Sequence, residues 1–199
     1  MSTDWSARYQ SGETPWEKGE PHPELPFLLA KYHELLAGAK RILVPGCGFG
    51  HDAALINSVA RTEVLGLDLA EEAMAQARGR YDSRGLAWTV GDLFKWPGQY
   101  DLVFEHTCFC AIPVARRTDY VAAMARLIPP GGHLLGIFFL NPDHEGEEGP
   151  PFGVTPDELL AFFKGNFELV WSKPPERTFA GRAGEGRELS MLWRRLETL

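Results

Sequence analysis

The chain has 199 residues, 44% hydrophobic and 24% charged, with a net charge of −7 from 20 basic and 27 acidic side chains. That length suits a globular domain with a buried core, and the acidic balance disfavours nucleic acid, whose binding leans on Lys/Arg contacts to phosphate. No apolar run approaches the roughly 20 residues of a membrane span, and Cys47, Cys108 and Cys110 form no CxxC pair, which fits a reducing compartment.

The opening Met-Ser-Thr-Asp-Trp lacks the basic-then-apolar pattern of a secretion signal, so a cytoplasmic protein is expected. Residues 1–40 precede the core. Trp5, Tyr9 and Trp16 cluster there with Pro15, Pro21, Pro23 and Pro26, ahead of a helix predicted from Leu28 to Leu36. Such aromatics either anchor a terminal arm or form a lid over a ligand, since aromatic faces attract a cation by forces of about 0.5–2 kcal/mol.

Arg41 to Pro45 reads as a strand that ends in Gly46-Cys47-Gly48-Phe49-Gly50. A helix from His51 to Ala60 and a second strand from Glu63 to Asp68 follow. Glycines at a strand exit let backbone approach a ligand, and a carboxylate ending the next strand suits two ribose hydroxyls. The spacing is GxGxG, with His51 where the dinucleotide fingerprint wants glycine, and no Lys-Ser/Thr pair is present to cradle a triphosphate. This favours a cofactor with ribose and adenine but no phosphate, of which S-adenosylmethionine is the common one. A dinucleotide and a purely structural glycine turn are the competing readings.

Further along, a helix is predicted over Ala70–Tyr81, a strand over Leu86–Gly91 and another over Tyr100–Thr107. A helix over Val114–Ile128 stops at Pro129-Pro130-Gly131-Gly132, and His133–Leu140 is a very apolar strand. Thr155 caps a helix to Lys164, with Pro156 in its first turn. Phe167–Trp171 and Glu188–Arg194 read as closing antiparallel strands. Alternating strands and helices predict an α/β fold, a doubly wound, mostly parallel seven-stranded sheet covered on both faces. One domain, 1–199, is expected, with residues 1–40 as lid and helix and 41–199 as core.

The histidines at 22, 33, 51, 106, 133 and 144 are scattered along the chain, and no cluster has metal spacing, so no metal is expected. His144 beside Asp143 and Glu145 is set aside as a metal group. His106 and Asp101 read as structural, and Cys108 and Cys110 as small buried groups. Arg177 to Arg187 alternates arginine with glycine without an aromatic platform for bases, and reads as a solvated hairpin loop rather than an RNA-binding tail.

Several words in the chain are more specific than GxGxG: Gly12-Glu-Thr-Pro-Trp16-Glu-Lys-Gly19, Val44-Pro-Gly-Cys-Gly48, His51-Asp52, Gly66-Leu-Asp68-Leu, Gly91-Asp92, Phe109-Cys-Ala-Ile-Pro113 and Gly149-Pro-Pro-Phe152. Together they resemble the thiopurine S-methyltransferase superfamily, most closely its halide and thiol methyltransferase branch. The resemblance implies the Rossmann-like methyltransferase fold, with S-adenosyl-L-methionine as cofactor and S-adenosyl-L-homocysteine as product. It implies Gly46 and Gly48 beside the methionine part, Asp68 and Leu69 at the ribose, and Asp92 and Leu93 at the adenine. Glu105 would lie near the cofactor's amino group, and Trp5, Tyr9 and Trp16 over the cofactor. Tyr9 stands where related sequences tend to have Trp, Glu105 where many have Asp, and Phe138 and Phe139 where relatives can present a tyrosine.

The chemistry implied is methyl transfer to a small soft nucleophile: halide, thiocyanate, bisulfide or thiol. Such acceptors arrive anionic, so no catalytic acid or base is expected, and alignment alone supplies about 7–11 kcal/mol. Trp16, Phe109, Phe139 and Phe152 are expected to line the substrate pocket, joined by Trp5. The acidic segment Asn141–Glu158, with six acids and no Lys or Arg, works against an anionic acceptor if it rims the mouth, and is read as an outward, solvated lid. Alternatives are a heteroaryl thiol S-methyltransferase of the thiopurine kind and a non-catalytic binder of the cofactor. The expected partner is a small molecule, with no nucleic acid and no membrane; a monomer is the working expectation.

Overall fold

A computed structural model describes residues 3–140, 149–182 and 186–197. Strands β1 (Arg41–Pro45), β2 (Glu63–Asp68), β3 (Leu86–Val90), β4 (Leu102–His106), β5 (His133–Phe139), β6 (Phe167–Lys173) and β7 (Glu188–Arg195) form one sheet in the order β3-β2-β1-β4-β5-β7-β6. The first five run parallel; β7 is antiparallel to both β5 and β6. Helices α1 (Trp5–Ser11), α2 (Leu25–Lys31), α3 (His33–Gly38), α4 (His51–Ala60), α5 (Glu71–Arg80), α6 (Arg117–Leu127) and α7 (Pro156–Phe163) complete the fold, with 3₁₀ turns at Phe109–Ala111 and Val114–Arg116.

Side-chain alternation along the strands sorts the core into two layers. Ile42, Val44, Leu102, Phe104, Leu135 and Ile137 face the side covered by α2, α3 and α4. Leu43, Val103, Leu134 and Phe138 face the side covered by α6 and α7. The continuous apolar runs of the central strands are thus buried on both faces, the condition for a parallel sheet. Strand order reverses between β1 and β4, and in open α/β sheets that reversal leaves a crevice at the carboxyl ends of the strands.

The predicted core elements stand within a few residues, including the Thr155 cap: its side chain accepts from Glu158 N while Glu158 returns to the Thr155 N–H. Asp157 and Glu158, two acids of the 141–158 segment, lie in that helix's first turn, where negative charge complements the helix dipole. Asp143, His144, Glu145, Glu147 and Glu148 lie outside the described residues.

Three expectations need correction. The predicted Leu28–Leu36 helix is two helices, parted where Tyr32 leaves helical dihedrals (φ −109°, ψ 29°) with its ring edge-on to Trp171. The Val114–Ile128 helix begins as a 3₁₀ turn and becomes α-helical only at Arg117. The Arg177–Arg187 stretch does join two antiparallel strands, with Arg177, Ala180, Gly181 and Gly186 exposed, but two of its side chains turn inward. Phe179 is buried, and Arg182 is folded inward with its side chain 12% exposed, because that carries it onto a buried carboxylate.

Candidate active site

A cavity of about 380 Å³ opens at the carboxyl ends of β1, β2 and β4, at the strand-order reversal and within the range of small-molecule sites. Its floor comes from the strand exits: Gly46 after β1, Asp68 and Leu69 at β2, Gly91 to Phe94 after β3, and Thr107 and Cys108 after β4. Its roof comes from the N-terminal segment, with Trp5, Arg8, Tyr9, Trp16 and Lys18, and its far wall from Ile112, Phe139, Pro150, Pro151 and Arg182.

The roof holds its shape through local chemistry. Asp4 caps α1 by accepting from Ala7 N at 3.0 Å, and Gly12 ends it in the left-handed region. Trp16 turns back onto this helix, edge-on to Trp5 and Tyr9 with centroids at 5.4 and 5.6 Å, and its Nε1 donates to the Tyr9 hydroxyl. The Arg8 guanidinium stacks 4.6 Å from the Trp16 ring. Burial and the neighbouring Asp68 push the Tyr9 hydroxyl well above the usual range for tyrosine, so it stays protonated. An Asp followed eight residues later by Gly is a helix frame visible in the sequence, and it is the local signal for α1.

The glycine loop meets this roof directly. Gly48 has φ +53°, and a Cβ there would stand 3.3 Å from the Tyr9 hydroxyl. Its N–H donates to Asp68 Oδ2 at 3.0 Å, while Asp68 Oδ1 accepts from Ala70 N. Gly50 serves packing instead: a Cβ would fall 2.3 Å from the Trp88 ring. Burial raises the Asp68 carboxyl above its ordinary range, against the backbone N–H groups that lower it. Asp92 folds back to accept from Phe94 N at 3.0 Å and keeps Lys95 3.5 Å from its other oxygen.

A cationic cofactor built on adenosine fits these residues. Asp68 lines the cavity at the end of β2, Leu69 beside it is 53% exposed, and the roof is aromatic.

Of the expected site residues, Trp5, Tyr9, Trp16, Gly46, Asp68, Leu69, Asp92, Leu93 and Phe139 line the cavity, and Gly48 lines a smaller recess beside it. Three do not. Phe109 is buried in the core against Tyr120, Phe138 and Phe163, because the 3₁₀ turn swings it under the sheet. Phe152 is also buried, and the two prolines before it take the place in the wall. Glu105 is fully buried: its Oε1 accepts from Cys108 N (3.0 Å) and Phe109 N (2.9 Å), and its Oε2 from the Tyr120 hydroxyl (2.6 Å). Its carboxylate braces the turn that forms the cavity floor.

Arg182 was missed, because an arginine in a glycine-rich stretch carries no local signal. It lines the cavity with its guanidinium 4.8 Å from the Phe139 ring. His22 and His106, 84 positions apart, also meet, their ring centroids 4.8 Å apart. Cys108 and Cys110 line the cavity, but burial raises both thiols, Cys110 up to about 12, so neither is a thiolate at neutral pH. Thr107 holds φ +60° at the β4 exit, an unusual and strained conformation for a β-branched residue.

Comparison with known proteins matches this geometry. The profile of the thiopurine S-methyltransferase (TPMT) family covers residues 1–184. Thiocyanate methyltransferase 1 of Brassica oleracea is 36% identical over 157 residues, 76% of this chain and 67% of that protein. Thiopurine S-methyltransferase of Vibrio parahaemolyticus is 28% identical over 181 residues, 81% of each chain. Among solved structures, Burkholderia thailandensis 1,6-didemethyltoxoflavin-N1-methyltransferase, bound to S-adenosylhomocysteine, shares the fold at a TM-score of 0.71 and 20% identity, over 98% of this chain and 86% of that one. Sheet order, glycine loop, strand-end carboxylate and family profile agree, and the chain belongs to the thiopurine S-methyltransferase family of S-adenosylmethionine-dependent methyltransferases.

Proposed function

We propose that this protein transfers a methyl group to a small, soft, anionic nucleophile such as thiocyanate, iodide, bisulfide or a thiolate. The observation that carries this reading is Arg182, a guanidinium set into the far wall beside an aromatic ring. It offers an anion directed N–H donors from a guanidinium whose ion pair to Glu188, at 3.2 Å, occupies Nη1 alone. The name of the Brassica oleracea relative, thiocyanate methyltransferase 1, points the same way.

In this reading Asp68 and Leu69 hold the ribose, Asp92 and Leu93 the adenine, and Gly46 and Gly48 the methionine part, under Trp5, Tyr9 and Trp16. When bound, S-adenosylmethionine supplies an electrophilic methyl on a sulfonium; in-line displacement returns the broken bond's electron pair to sulfur and, with an anionic acceptor, moves no proton. The residues of the chain then have three tasks. Arg182 captures the acceptor, Phe139, Ile112 and the two prolines exclude water from it, and the roof fixes the line of approach. Alignment of this kind is worth about 7–11 kcal/mol. The thiols in the wall are protonated and supply no nucleophile, and an acceptor that arrives anionic needs no acid or base residue.

The test is product analysis after incubation with S-adenosylmethionine and each of thiocyanate, iodide, bisulfide and an aryl thiol. Methyl thiocyanate or methyl iodide is the expected product. Arg182→Met is expected to lower kcat/KM for thiocyanate about 10–100-fold, the worth of one charged hydrogen bond. Methylation of the aryl thiol alone would replace this reading with the thiopurine-like one. No product from any acceptor, with S-adenosylhomocysteine bound, would overturn it.

A further inference from the structure

Behind Arg182 lies a buried polar cluster whose protons can be placed one by one. Glu24 N donates to His22 Nδ1 at 3.1 Å, so His22 carries its proton on Nε2 and gives it to Glu188 Oε2 at 3.1 Å. Arg182 Nη1 lies 3.3 Å from His106 Nε2 and 3.2 Å from Glu188 Oε1. An arginine nitrogen only donates, so His106 Nε2 is the acceptor, and its proton sits on Nδ1, 2.6 Å from Asp52 Oδ2. Asp52, in the first turn of α4, also accepts from His22 N at 2.8 Å. Phe179 stacks on His106 and closes the cluster.

The ligand atoms of His22, His106 and Glu188 lie within 4.8 Å of one another, a spacing that suits a metal. The hydrogen bonds assign the cluster otherwise. His22 Nε2 is protonated, and the lone pair of His106 Nε2 faces a guanidinium. The cation this cluster holds is Arg182.

We infer that His106 is a positioning residue that aims Arg182 into the acceptor end of the cavity, with Asp52 fixing the imidazole from behind. This rests on the proposed reading of that end as an anion site. An arginine on a long connection has many rotamers, and two acceptors on one nitrogen select one of them before the acceptor molecule arrives. Nη2 and Nε, without a hydrogen-bond partner among the described residues, are then the donors left for an acceptor molecule. Because Asp52 follows the glycine loop directly, the loop and the acceptor cation are held in one frame.

The experiment separates the two nitrogens of His106. An Asn side chain reproduces Nδ1 and keeps the bond to Asp52 but cannot reach Arg182; a Gln side chain reaches the position of Nε2 and presents an oxygen to Arg182. With thiocyanate as varied substrate, His106→Asn is expected to raise KM about tenfold, one lost charged hydrogen bond. Its kcat and its Kd for S-adenosylhomocysteine should stay within about twofold. His106→Gln is expected to recover most of that loss. A merely structural histidine would show the reverse order or equal damage to kcat and KM. Unchanged KM in both variants, while the wild type methylates thiocyanate, would overturn the inference and leave the anion site standing; so would loss of S-adenosylhomocysteine affinity in His106→Asn, which would place His106 with the cofactor. A wild type that methylates no anion would refute the anion site itself, whatever the variants do.

Discussion

Glu105 offers the sharpest test, because resemblance and geometry give it different tasks. Resemblance puts it near the cofactor's amino group; the structure buries it completely with three donors on its carboxylate, two backbone N–H groups of the Phe109 turn and the Tyr120 hydroxyl. Glu105→Ala orphans all three. At about 1–3 kcal/mol for each unsatisfied buried group, with part recovered by relaxation, the loss comes to about 4–5 kcal/mol. At about 2–4 °C per kcal/mol for a chain of this size, Tm falls by roughly 10–15 °C. Glu105→Gln keeps an oxygen for both N–H groups and lets Tyr120 turn to accept from the amide, so its cost is about 1 kcal/mol. Thermal melts by circular dichroism, paired with calorimetric titration of S-adenosylhomocysteine, check both numbers. If Glu105→Ala melted within about 2 °C of wild type while losing the cofactor product, the brace would be disproved and the resemblance restored.

Three further outcomes are expected. Gly48→Ala forces a side chain into φ +53° and places its Cβ 3.3 Å from the Tyr9 hydroxyl, so stability drops by about 1–2 kcal/mol in urea melts and S-adenosylhomocysteine binds more weakly as the roof shifts. Trp16→Ala removes two edge-on aromatic contacts and the Arg8 stack; Kd for S-adenosylhomocysteine, read by titration, rises about tenfold or more, and an unchanged Kd would reduce the roof to an anchored arm. For Glu188, burial acts to raise the carboxyl, but His22, Thr178 and Arg182 together hold it down to about 2. A lowered folded-state value means stability present above the ordinary value of 4.5 and lost as pH falls towards 2. That is about 3 kcal/mol over this window, and Glu188→Gln should show a correspondingly shallower acid-unfolding curve.

The floor of the site was legible because its signals are local. A glycine loop, a carboxylate at the next strand's end and a Gly-Asp after the third strand each declare themselves within a few residues, since backbone dihedrals and side-chain period are short-range properties. The lining role of Trp5, Tyr9 and Trp16 also follows from their proximity in the chain. Phe109 and Phe152 were misplaced for the opposite reason: hydrophobicity says that a ring is covered, not whether a cavity or the core covers it. The 3₁₀ turn at Phe109–Ala111 decides that, and its geometry depends on a carboxylate from β4 and a hydroxyl from α6.

By itself, then, the sequence determined the mostly parallel sheet, its helical cover, the cofactor class and the family, all carried by periodicity and by motifs contiguous in the chain. Only the tertiary structure decided what faces the acceptor. Arg182 reaches the cavity because β6 and β7 bring their connection back over the strand ends, where Glu188 and a histidine 76 positions earlier in the chain hold it. Charge pairing across such separations depends on which strands are neighbours, and no local pattern of residues encodes that.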